Sequence, residues 1–236
     1  MRWLRALLVT CQLIVLCSAA RPPIYRGVQG SYEASSVFAP SNLKPLIVID
    51  PGHGGSDEGA KINAFMEKKL TLITAQMVRR HLEEMGYRVM MTRTRDTYLP
   101  LPRRVGMANK IKGSIFVSIH FNSAPRQEVQ GIEIFYFDSK EAWRTKASRR
   151  LASTILRATL EETQAASRGV KQGNFHVIRE TDMPAVLVEG GFMTNKEERS
   201  RLRDRDYLNK LALGIAHGVD LYMSRSELQN GVLGAS

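Results

Sequence analysis

Leu46-Ile47-Val48-Ile49-Asp50-Pro51-Gly52-His53-Gly54-Gly55 carries the reading of the fold. The apolar run 46–49 is short and unbroken, as in a strand buried on both faces. It stops in a glycine-rich turn, where the backbone can bend sharply and approach a ligand. Outward from it the pattern alternates. Residues 68–85 place Leu70, Ile73, Met77, Val78 and Leu82 at helical spacing, and Gly86 closes that helix. Further strands are expected at 87–92, 115–119, 131–137, 175–178 and 185–188. Further helices are expected at 101–111, 141–163 and from Lys196 to about Met223, with a break near Asp206. Strands alternating with helices predict an α/β fold: a single domain with a mostly parallel, roughly six-stranded sheet covered by helices on both faces. No internal repeat or low-complexity tract interrupts it.

The 236 residues suffice for one domain with a real core. Residues 1–20 read as a secretory signal peptide: a basic start, the apolar stretch Leu7 to Cys17, then Ser18-Ala19-Ala20 at the cleavage position. An uncleaved anchor is the alternative. Residues 21–44 read as a linker, 45–223 as the catalytic domain, and 224–236 as a flexible tail. Both cysteines, Cys11 and Cys17, lie in the signal, so the mature chain would lack thiols. Disulfides, a cysteine nucleophile and thiolate metal sites are excluded together. Any metal must be held by His, Asp or Glu. Thirty-four basic residues less Arg2 and Arg5, against 23 acidic ones, leave a mature charge of +9. That balance suits an anionic polymer or surface, and export argues against nucleic acid.

The candidate chemistry gathers where apolar segments stop. His53 lies in the first turn, and His120 follows the run Ile115-Phe116-Val117-Ser118-Ile119. Two histidines placed after short apolar runs can converge on one sheet edge. Glu67 opens a helix, where it either complements the helix dipole or completes a His–Glu–His set. Glu189 ends the apolar run Ala185-Val186-Leu187-Val188, where a carboxylate is costly unless it is paired or put to work. Asp57 either orients a ligand or caps the turn.

Several motifs, in this order and spacing, resemble the zinc-dependent N-acetylmuramoyl-L-alanine amidases of bacterial cell walls. They are residues 52–60, Glu67-Lys68, Thr92-Arg93, Ser118-Ile119-His120-Phe121-Asn122, Arg168-Gly169-Val170-Lys171 and 188–195. The resemblance covers about Leu46 to Met223. It implies one Zn2+ per chain held by His53, Glu67 and His120, with Glu189 as the catalytic glutamate. It also implies cleavage of the amide joining muramic acid to L-alanine, with peptidoglycan or its lipid-linked precursor as partner. Asn122 and Arg168 either contact substrate or hold loops. The expected protein is a periplasmic or cell-envelope monomer with no membrane span once the signal is removed. A zinc carboxypeptidase or endopeptidase, or a non-catalytic wall-binding module, is the alternative.

Two departures from the family stand out. Phe121 fills a slot where relatives carry a small residue, which predicts a reshaped cleft floor. Residues 141–163 suffice for one covering helix, with no room for the inhibitory helix of regulated relatives. The site is therefore expected to stand open and to need no activator protein. Ser41-Asn42-Leu43-Lys44 matches the Ser-x-x-Lys of penicillin-binding enzymes, but a strand rather than a helix follows it. His81 and His217 read as surface or packing residues, and His176 as a neighbour of the cleft.

Overall fold

A computed structural model describes residues 44–233. The expected signal, nearly all of the linker and Ser41 lie outside the described residues. The six-stranded sheet comprises β1 (Leu46–Pro51), β4 (Arg88–Met91), β5 (Ile115–Asn122), β6 (Ile132–Tyr136), β7 (Ser167–Gln172) and β8 (Ala185–Phe192). Its order is β4-β1-β5-β8-β6-β7. Every neighbouring pair is parallel except β6 with β8. The chain leaves β1 toward one edge and returns on its other side as β5, so a crevice opens between the two loops, as at the switch points of open α/β sheets.

The strands alternate their side chains between two cores. Ile47, Ile49, Val117, Ile119, Val186 and Val188 face α1 (Glu67–Glu84), α3 (Ala142–Thr163) and α6 (Arg205–Leu233). Val48, Phe116 and Leu187 face α2 (Leu101–Ile111) and the short α4 (His176–Arg179). By the same alternation Asp50, Ser118, His120 and Glu189 lie on the second, more thinly covered face. Helices therefore cover both faces, as expected. No helix among the described residues is long and apolar enough to cross a membrane.

Four details differ from the sequence reading. Residues 175–178 are not a strand; Val177 and Ile178 are both buried, which one helical turn achieves and an alternating strand does not. The sixth strand is β7 instead, an edge strand whose polar residues hide it from a hydrophobic pattern. A two-residue hairpin, β2 (Lys61–Ile62) with β3 (Phe65–Met66), precedes α1. The last helical stretch breaks between α5 (Lys196–Arg201) and α6, just before the expected Asp206, and α6 runs to Leu233, beyond the expected end at Met223.

Candidate metal centre and active site

The turn after β1 is held from beneath by two buried arginines. Arg104 donates to the carbonyls of Pro51 (2.6 Å) and His53 (2.7 Å) and to the Asp50 carboxylate (2.9 Å). Arg93 donates to the carbonyls of Pro51 (3.0 Å) and Gly52 (2.7 Å). Asp50 is 1 % exposed and also accepts from Thr92 and Ser118. This frame keeps His53 at φ 61°, a left-handed conformation that a side-chain-bearing residue holds only when its surroundings impose it. Arg104→Leu would strip the His53 carbonyl of its donor, leave Pro51 to Arg93 alone, and leave Asp50 buried without its cation. A loss of about 3–5 kcal/mol is expected. Denaturant midpoints would measure it, and a loss under about 1 kcal/mol, the scale of an exposed pair, would refute the framing role.

Glycine at position 52 is required by close approach. A Cβ there would sit 2.2 Å from the His120 ring. His120 projects from β5 just before the register with β8 shifts, a bulge of the kind that re-aims side chains beside active sites. The hairpin β2–β3 turns the chain so that Glu67 comes back to the same place. Ala60 donates its N–H to Glu67 Oε2 (2.8 Å), and the Glu67 N–H donates to the Ala60 carbonyl (2.8 Å).

Three side chains converge there. Glu67 Oε1 lies 3.1 Å from His53 Nε2 and 3.0 Å from His120 Nδ1. The imidazole rings meet edge-on with centroids 4.8 Å apart. One ligand atom from each residue falls within 4.8 Å of the others, so the three could hold a metal ion. The donor set is nitrogen and oxygen only, which suits an open hydrolytic zinc site. Asp57 accepts at His53 Nδ1 (2.9 Å), a contact that leaves Nε2 its lone pair for a metal. It also accepts from the Gly59 N–H (3.1 Å), so Asp57 contacts both the His53 ring and the backbone of the turn. Burial alone would raise the Glu67 carboxyl, but hydrogen bonds to His120 and His53 outweigh it and hold the group far below its ordinary range.

Glu189 stands in register with His120 across β5 and β8. Burial, followed by the charges of Glu67 and Glu133, pushes its carboxyl well above the ordinary value. Its Oε2 has no hydrogen-bond partner among the described residues. The four groups border a cavity of about 590 Å³, with Asn122, His176, Tyr98, Leu101 and Phe175 among its other walls. Phe121 lines the cavity from the core side: it is 1 % exposed and packs in the core, while its N–H donates to Glu67 (3.1 Å). His81 and His217 pair with Asn209 and Glu162 and take no part in the cavity.

Glu133 is the residue the sequence reading missed. It is 4 % exposed, and its Cα opposes that of Glu189 across β6 and β8. Its Oε1 accepts from Asn122 (2.7 Å), and its Oε2 accepts from Arg168 (2.8 Å) and Lys171 (2.5 Å). Asn122 lies on the cavity wall, whereas Arg168 pairs with Glu133 and does not line the cavity. The available signal was a carboxylate in an apolar alternating strand beside a segment carrying two cations.

A mostly parallel α/β sheet with a His–Glu–His cluster at its switch point, and a buried glutamate alongside, defines the class. Residues 47–220 match the family model described as N-acetylmuramoyl-L-alanine amidase. The chain belongs to that family. It is 35% identical over 181 residues to a probable cell wall amidase, LytH, of Staphylococcus aureus, covering 75% of this chain and 58% of that relative's length. It superposes with a TM-score of 0.71 on the catalytic domain of CwlV, an N-acetylmuramoyl-L-alanine amidase from Bacillus (Paenibacillus) polymyxa var. colistinus. Identity there is 39%, over 76% of this chain and 98% of that one. The CwlD amidase of Clostridioides difficile, solved in complex with the GerS lipoprotein, matches with a TM-score of 0.72 and 28% identity, over 77% of this chain and 99% of that one.

Proposed function

We propose that this chain is an exported zinc hydrolase that cleaves the amide between N-acetylmuramic acid and the L-alanine of the peptidoglycan stem peptide. The observation that carries the reading is the convergence of His53, Glu67 and His120 on one point, with Glu189 in register beside them. Zinc held there would polarise the scissile carbonyl and lower the pKa of water at the site. Glu189 takes the proton of the attacking water and returns it to the leaving amine. Its burial favours a group that holds a proton readily, and the lack of a competing hydrogen bond at Oε2 leaves that oxygen available. Asn122, fixed by Glu133, offers its amide on the cavity wall for substrate. Tyr98, Leu101 and Phe175 form an apolar wall that can cover the substrate and exclude bulk water.

The site works without an activator in this reading. The segment between β6 and β7 is spent on α3, which packs on α6 and the sheet, and the cavity remains open. The test is a digest of defined muropeptides by the purified chain alone, read by mass spectrometry. Chelation is expected to abolish the release of intact stem peptide from the glycan, and added zinc to restore it. A shortened or internally cut peptide would instead indicate a carboxypeptidase or endopeptidase. Turnover that appears only with a second protein would refute the open site.

A further inference from the structure

The antiparallel strand β6 creates a second place on the molecule. Because β6 runs against β8, Glu133 lies level with Glu189, and Tyr136 lies level with Val186 near the far end of β8. Tyr136 is thus carried about 10 Å along the strand away from the candidate active site. There, between the ends of β6 and β7 and the first half of α3, lies a cavity of about 640 Å³. Four cations line it, Lys140, Lys146, Arg149 and Arg150, against the single carboxylate of Asp138. Lys140, Lys146 and Arg149 enter no ion pair among the described residues. Arg150 is steadied by stacking over the Tyr222 ring, 4.7 Å from its centroid.

The cations are ordered along the helix. Lys146, Arg149, Arg150 and Ser153 follow at i, i+3, i+4 and i+7 on one face, so neighbouring positions lie about 5–6 Å apart. From Ala142 to Ser153 the lined face extends about 16 Å. Along that face Lys146, Arg149 and Arg150 rise about 6 Å, with Lys140 just before the helix, and four cations in one groove suit a chain of repeating anions better than a single ion. Only one aromatic ring lines it, that of the buried Tyr136, so the stacking platforms of a single-stranded nucleic-acid site are lacking. A concave row also suits a strand better than the flat surface of a bilayer.

We infer that this groove binds a linear phosphodiester polymer of the polyol-phosphate type, docking the protein on an anionic envelope surface while the other end of the sheet remains free. The inference goes beyond the hydrolytic reading and does not depend on it. The test is calorimetric titration of the full chain with a synthetic poly(glycerol phosphate) oligomer. The wild-type chain is expected to bind it, with affinity falling as salt rises from about 50 to about 200 mM. The double substitution Lys146→Glu with Arg149→Glu, both at solvent-accessible positions, should weaken binding by about tenfold or more, since each reversal costs at least one phosphate contact. Hydrolysis of a small soluble muropeptide should stay at the parent rate. No binding by the parent chain, or equal binding by the double variant, overturns the inference. Tighter binding to phosphatidylglycerol vesicles or to an oligothymidylate of equal charge also overturns it, reassigning the groove to a lipid surface or to nucleic acid.

Discussion

Glu189→Gln is expected to cut turnover by about 10²–10⁴-fold, the range of a lost general base, while zinc binding is retained and the metal-free protein becomes more stable near neutral pH. Burial, then the neighbouring charges of Glu67 and Glu133, hold the folded-state carboxyl of Glu189 well above its ordinary value of 4.5. Between that ordinary value and the raised one, the folded protein binds more protons than the unfolded chain. Stability therefore falls as pH rises through this window, and the full cost is present above it. Glutamine has no ionised form and escapes the cost. The variant should exceed the parent by about 1–3 kcal/mol above the window, the scale of one relieved buried polar group. The gap should close below the ordinary carboxyl value, where both proteins are neutral at this position. Melting curves of chelator-treated protein at about pH 4 and about pH 8 measure the sign. A variant with more than about a tenth of parental turnover would rule out the assigned proton transfer, and a variant less stable than the parent at the higher pH would mean that the carboxylate has a stabilising partner.

The contrast between Glu189 and Glu133 explains what the sequence made legible. Strands β1, β5 and β8 are buried on both faces, so their apolar runs announce them, and a histidine or glutamate ending such a run is conspicuous. Strand β7 is an edge with an exposed start, written in Ser167-Arg168-Gly169-Val170-Lys171-Gln172, and no apolar pattern marks it. The same polarity hid the role of Glu133. Alternation along β6 places its side chain opposite Ile132 and Ile134, where a solvent-facing carboxylate would be ordinary. Only the parallel pairing of β7 brings Arg168 and Lys171 over it and closes it from water. Arg104 was hidden differently. It is one arginine among many, and only the turn after β1 folding over α2 gives it three acceptors at once. The ligand candidates could be read from chain-local signals, whereas the residues that hold them depend on pairings between distant segments.

Glu67→Ala is expected to remove both the metal and part of the scaffold. Its two oxygens serve different masters: Oε2 takes the Ala60 N–H, while Oε1 takes the Phe121 N–H and faces both imidazoles. Alanine leaves those two amides without their acceptor at about 1–3 kcal/mol each. It also removes the carboxylate from a three-member donor set, so zinc affinity and turnover should both collapse. Glu67→Gln separates the two effects. Its amide has one carbonyl oxygen, which can accept from Ala60 or face the imidazoles but not both. It should recover much of the melting temperature lost in the alanine variant without recovering tight zinc binding. Metal content after dialysis and melting temperature, read for both variants, decide the matter. Parental zinc content in Glu67→Gln would mean that the two histidines suffice and that the carboxylate is there for the backbone alone. Equal melting temperatures for Glu67→Ala and the parent would mean that the Ala60 and Phe121 amides are satisfied without it.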